Sequence, residues 1–86
     1  VIKVVCAVRD SASGLFGQPF FVPSTAVAVR GFSDAIAKSE DNSDLVKHPE
    51  DFALFELGSF DDETGKFVNV SDPRQLVRGK DVYNVQ

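Results

Sequence analysis

The side chains able to carry chemistry are few in this chain: one histidine, His48, one cysteine, Cys6, thirteen carboxylates and nine lysines or arginines. Nucleophilic catalysis needs a nucleophile, a base and a group that orients the base, and His48 has no Ser or Cys partner in a recognisable motif. A zinc site needs more imidazoles or thiolates at ligand spacing than this chain supplies, so His48 reads as a turn residue. Asp61, Asp62 and Glu63 stand side by side, without the alternating acids and distant Glu of a calcium loop. Surface carboxylates with no burial to raise their pKa make poor general acids. No phosphate-binding loop or dinucleotide fingerprint is present. Enzyme activity, a metal and a cofactor are therefore not expected.

Binding chemistry remains. The net charge of −4 argues against a nucleic-acid partner, since affinity for phosphates comes chiefly from Lys and Arg that displace counterions. The average hides a split. From Glu40 to Glu63 the chain has nine acids and one base, Lys47, whereas the rest has eight bases and four acids. A fold that keeps the two parts separate presents an acidic face and a mildly basic one. In the other reading the acids are simply solvated loop and turn residues.

The elements that must position these groups are legible in the periodicity. Ile2 to Val8 is rich in β-branched residues and reads as a strand with Ile2, Val4, Cys6 and Val8 on one face, which makes Cys6 a core residue rather than a reactive thiol. Arg9 to Gln18 reads as a loop with Leu15 and Phe16 near its tip. That pair folds back on the core, anchors a second subunit, or offers a ring on which a base stacks. Phe20 to Val22 is a short extended piece. Ser24 is a good N-cap, and Thr25, Val29, Phe32 and Ile36 recur at helical spacing, predicting a helix over Thr25 to Lys38 with Arg30 and Asp34 on its outer side. Gly31 inside this helix suggests a close approach of a neighbour. After an acidic connector over Ser39 to Asp44, Leu45 to Lys47 forms one helical turn, ended by His48 and Pro49.

Phe52 to Phe60 and Lys66 to Val70 read as the arms of a β-hairpin, turned by Asp61 to Gly65 with Gly65 in the left-handed conformation. Asp72, Pro73, Gln75 and Gly79 have the order of a cap, a first-turn proline, a capping-box partner and a stop, predicting a short helix over Pro73 to Arg78. That helix carries Arg74 and Arg78 on one side with Lys80 close behind, the densest basic patch in the chain. Asp81 to Gln86 forms a tail. The expected architecture is α+β: a small sheet with a β-hairpin packed against one main helix, plus a short C-terminal helix, in a single domain over residues 1–86.

Length and composition set the context. At 86 residues the chain has room for one core of marginal stability, so association into a homo-oligomer is expected. The lone cysteine allows no internal disulfide and points to a reducing compartment. No apolar run approaches the roughly 20 residues a bilayer needs, and no signal-peptide pattern is present, so neither a membrane nor export is expected.

The stretch from His48 through Pro49, Glu50, Asp51, Phe52, Ala53, Leu54, Phe55, Glu56 and Leu57 to Gly58, followed by Phe60, Asp61, Asp62, Thr64 and Gly65, resembles the signature of a known family. It is that of the small nonstructural protein of gokushovirus-type microviruses, phages with single-stranded DNA genomes. Val8, Arg9 and Asp10, and then Ala28, Val29, Arg30 and Phe32, resemble the first half of the same family. The resemblance spans most of the chain in order and weakens before Phe20 and after Gly79. It implies a DNA-binding protein of the host cytoplasm with a part in single-stranded genome replication or packaging, and it brings no catalytic motif.

With that resemblance, the expected function is a non-enzymatic phage accessory protein that binds single-stranded DNA. Arg9, Arg30, Lys66, Arg74, Arg78 and Lys80 would meet phosphates, and Phe16 or Phe20 would offer stacking surfaces. The alternative is a protein-interaction module whose acidic segment docks a phage or host protein of replication or of the capsid.

Overall fold

Ile2, Val4, Val5 and Val8 make the start of the chain a good strand former, and it forms β1 (Ile2–Asp10). In the computed structural model, which describes residues 1–37 and 44–84, β1 lies at the centre of an antiparallel sheet. β4 (Phe52–Asp61) pairs with its whole length on one side, while β2 (Leu15–Phe16) and β3 (Phe20–Val22) share the other. β5 (Lys66–Arg78) pairs with β4 and is the outermost strand at that end.

Alternation along β1 sends Val4, Cys6 and Val8 to one side of the sheet. There they pack with Ala28, Phe32 and Ile36 of α1 (Thr25–Ala37), with Leu54 of β4 and with Val82. Fully burying a side chain such as Ile36 or Leu54 contributes about 1.5–3 kcal/mol, so this cluster holds α1 to the sheet. Ser24 starts the helix as expected: the Val27 N–H donates to its hydroxyl at 3.3 Å and the Ala28 N–H to its carbonyl at 3.2 Å. α2 (Asp44–Lys47) and a 3-10 turn at Pro49–Asp51 lead back to β4. The predicted hairpin is present, with Gly65 at φ 75° and its N–H donating to the Asp61 carbonyl at 2.8 Å.

Several expectations change. Arg9 to Gln18 is a loop only in part, because β1 runs on to Asp10 and a turn over Ser11 to Gly14 leads into β2. The Asp10 carbonyl accepts from the Gly14 N–H at 2.8 Å, its carboxylate accepts from the Ala12 N–H at 2.9 Å, and Gly14 adopts φ 75°. A two-residue strand is too short to show as a periodicity. Ile2 shares the face of Val4, Cys6 and Val8 as expected but is exposed, since it pairs with Asp61 at the turn end of the sheet, away from the cluster around Phe32 and Ile36.

Pro73 to Arg78 is not a helix but the second half of β5, where Arg74, Gln75, Val77 and Arg78 pair with Glu56, Phe55, Leu54 and Ala53. Long-range pairing overrides the local helix signal. Pro73, which has no N–H to offer a ladder, sits in an irregularity where the register passes from Gly58–Asn69 to Glu56–Arg74. The short C-terminal helix comes later, as 3-10 turns over Gly79–Asn84. Val82 in those turns closes the core at 2% exposure, where a tail was expected. Lys38 and the connector as far as Ser43, like Val85 and Gln86, lie outside the described residues.

Gly31 does not mark a close approach, for a methyl group built there meets nothing within 4 Å. Gly31→Ala is therefore expected to stabilise the chain by about 1 kcal/mol through helix propensity alone. In a domain of this size that is a rise in Tm of about 4–8 °C. An unchanged or lowered Tm in a thermal melt would contradict an open site.

Candidate nucleic-acid interface

α1 covers only one side of the sheet. Residues directly opposite each other on neighbouring strands share a face, so the register assigns the other side. Phe60 lies between Lys3 and Phe67, Val5 opposes Phe21, Ala7 opposes Phe55, and Arg9 lies opposite both Phe16 and Ala53, the latter paired in turn with Arg78. Lys3, Arg9, Arg78 and five phenylalanines thus share the side away from α1.

The rings form two groups. Phe16 meets Phe55 edge to face at 5.4 Å, while Phe21 meets Phe60 edge to face at 5.3 Å and Phe60 tilts against Phe67 at 4.8 Å. These are the separations at which aromatic pairs attract beyond the area they bury. Between the groups Val5 and Ala7 are buried although they lie on the side away from α1. Much of the ring surface still meets solvent: Phe67 is 58% exposed, Phe21 47% and Phe16 40%. The Arg9 guanidinium stands 6.0 Å from the Phe16 ring centre, at the outer limit of a cation–π contact.

The eight expected binding residues do not form one strip. Arg9, Arg78 and Lys80 line a common cavity at one end of the open face, next to Phe55, and Phe16 is on that face too. Arg30 and Arg74 line a shallow groove beside α1, on the opposite side of the molecule. Phe20 opposes Cys6 and so faces the helix side, where it lines an apolar groove with Val27 and Phe32. Lys66 opposes Asp61 and alternates with Phe67, so it too leaves the open face. Arg74 and Arg78, expected on one side of a helix, project to opposite sides of a strand.

Carboxylates claim part of the positive charge. The Arg74 guanidinium pairs with Glu56, its Nε donating at 2.8 Å, and the Arg78 Nε donates to Asp81 at 3.0 Å. Asp62 at the β4–β5 turn is held below the usual carboxylate range, first by its hydrogen bond to the amino group of Val1 and also by the charges of that group and of Lys3. Cys6 is pushed the other way: burial, and then the charge of Glu56, raise its thiol above the ordinary value, as suits a core residue. Among the described residues the open face offers phenylalanine rings with Lys3, Arg9, Arg78 and Lys80 at its borders, an arrangement able to stack planar groups with modest charge attraction.

The residues that define this face, Phe21, Phe55, Phe60 and Phe67, are not among those expected from the sequence. Phe67 stands in a readable alternating strand, and its partner across the hairpin is Phe60. Pairing the two arms of the predicted hairpin about its turn would have found that contact.

A family model described as Phage ORF5 protein matches residues 3–82. No curated protein and no solved structure gives a significant match to the chain.

Proposed function

The chain belongs to the phage ORF5 protein family, and we propose that it is a non-enzymatic accessory protein that binds single-stranded DNA by stacking bases on the open face of its sheet. The observation that carries this reading is the set of five phenylalanines on the face away from α1, three of them 40% exposed or more. Contiguous apolar patches on a protein surface mark sites that something else covers. Bases of a single strand are free to leave their neighbours and lie on such rings, whereas those of a duplex are already stacked and hidden.

Charge takes second place. With Arg30, Lys66 and Arg74 off this face and Arg78 shared with Asp81, about three cations remain to meet phosphates. At a slope near −0.7 per phosphate, log K should fall with log salt by only about −2. The finer assignments belong to the same proposal: kinship with the small nonstructural proteins of gokushovirus-type microviruses, a place in the host cytoplasm, and a part in single-stranded genome synthesis or packaging.

Electrophoretic mobility of a labelled oligonucleotide, single-stranded or annealed to its complement, tests the reading. Retardation of the single strand and not of the duplex is expected. Equal retardation of both, or of neither, contradicts it.

A second reading rests on β5. Its outer edge has no strand partner among the described residues, its stretch from Phe67 to Ser71 carries no charge, and Val68 is 67% exposed. Edge strands of this kind pair with other chains unless charge or proline blocks them. A second copy of this chain is the partner we propose. Light scattering should then give a mass that rises from monomer to dimer with concentration, and a monomeric mass throughout would remove this reading without touching the first.

A further inference from the structure

The open face ends in a cavity unlike the rest of it. Where the end of β1, the turn at Pro49–Asp51 and the end of β5 meet, a cavity of about 220 Å³ opens beside the Phe55 ring. Cavities for drug-sized ligands begin near 300 Å³, so this one is of a size for a single ring system. Arg9, Arg78 and Lys80 bring three positive charges to it, and Glu50 and Asp51 bring two negative ones. Asp81, outside the lining, is bonded to Arg78 and offsets part of its charge.

The balance decides against a phosphate enclosed by the cavity, so Arg9 and Lys80 would meet the strand's phosphates only from its rim. An anion entering a lining of about equal and opposite charges gains little net attraction and meets two carboxylates at close range. The same lining suits a neutral ring edge that carries donors and acceptors side by side. Gln75, which also lines the cavity and whose side chain carries both an amide oxygen and an NH₂ group, fits the same description.

We infer that this cavity takes a guanine base of the bound strand, with the edge read by carboxylate and guanidinium and the ring lying against Phe55. Among the four bases only guanine presents two neighbouring N–H donors, N1–H and the N2 amino group, which a carboxylate accepts in bidentate fashion. Its O6 and N7 acceptors meet Arg or Lys. Thymine offers a single N–H between two carbonyl oxygens, which a carboxylate repels. The inference rests on the reading of the open face as a single-strand platform, and its test is arranged to fail separately.

Fluorescence anisotropy of the full chain with a labelled oligothymidylate is compared with the same oligonucleotide carrying one guanine, and again with hypoxanthine, which lacks the N2 amino group, at that position. A bidentate base contact is worth about 1–3 kcal/mol, so the guanine oligonucleotide should bind about tenfold more tightly. Hypoxanthine should lose most of that gain. In the Glu50→Gln, Asp51→Asn double variant, checked for its fold by circular dichroism, the guanine preference should vanish while oligothymidylate binding persists. Equal affinity of the wild-type chain for the thymine and guanine strands would overturn the inference and leave the platform standing. So would a guanine preference that survives the double variant. Failure of the wild-type chain to bind any of the three would overturn the platform and the inference together.

Discussion

Replacing Phe21 and Phe67 together by alanine is expected to weaken oligothymidylate binding about 100-fold. Each base stacked on a ring is worth about 1–3 kcal/mol by alanine substitution, and two rings at about 1.4 kcal/mol each give two powers of ten. Both rings are about half exposed, so the fold itself should lose little. Phe20→Ala is the control, for Phe20 is also partly exposed but lies on the side of α1. It should leave affinity unchanged. Anisotropy titrations read the affinities, and a urea melt of each variant shows whether it is folded. A double variant that binds like wild type would mean that the bases do not lie on this face.

The second large effect concerns what holds that face in place. A methyl group on Gly58 would run into the carbonyl of Val68 and stand 3.0 Å from the Asn69 Cα, both backbone atoms of β5 that cannot swing aside as a side chain can. Overpacking costs about 1–3 kcal/mol and sometimes more, and a backbone obstacle puts Gly58→Ala near the top of that range. At 0.05–0.15 kcal/mol per residue a chain of this length has roughly 4–13 kcal/mol in all. Gly58→Ala should therefore lower the urea midpoint by about 1–3 M. It should also weaken DNA binding, because β5 moved away from β4 carries Phe67 off Phe60. A midpoint equal to wild type would show that the strands have slack at this point.

The contrast between glycines shows which features of the fold are legible in the sequence. Gly65 is readable, because a turn between two alternating arms needs one residue with positive φ. Gly58 is not, because the requirement comes from a strand that returns to it from ten residues further along the chain. α1 is readable for the same reason as the hairpin: Ser24 and the spacing of Ala28, Phe32 and Ile36 are local facts.

The binding face is harder to read because bulges reverse the alternation on which sequence reading relies. Phe16 and Phe20 are an even number of residues apart and would share a face in an unbroken strand. The register of β1 with this edge shifts by one residue between Arg9–Phe16 and Cys6–Phe20, so Phe16 lies on the open side and Phe20 on the helix side. The same happens in β5, where Leu76 is passed over between Gln75–Phe55 and Val77–Leu54. Arg74 and Arg78 consequently part company, and the dense basic patch expected of a helix does not form. Irregularities of this kind are set by pairing between strands distant in sequence, and composition carries no mark of them.

The most direct test of the central claim is to watch the rings themselves. A ¹H–¹³C NMR titration of aromatic-labelled protein with a short oligothymidylate should move the ring signals of Phe16, Phe21 and Phe67 upfield as bases settle on them, with Phe20 and Phe32 unmoved. Shifts confined to Phe20 and the residues around α1, or no shift at all at saturating DNA, would contradict a single strand lying on the open face.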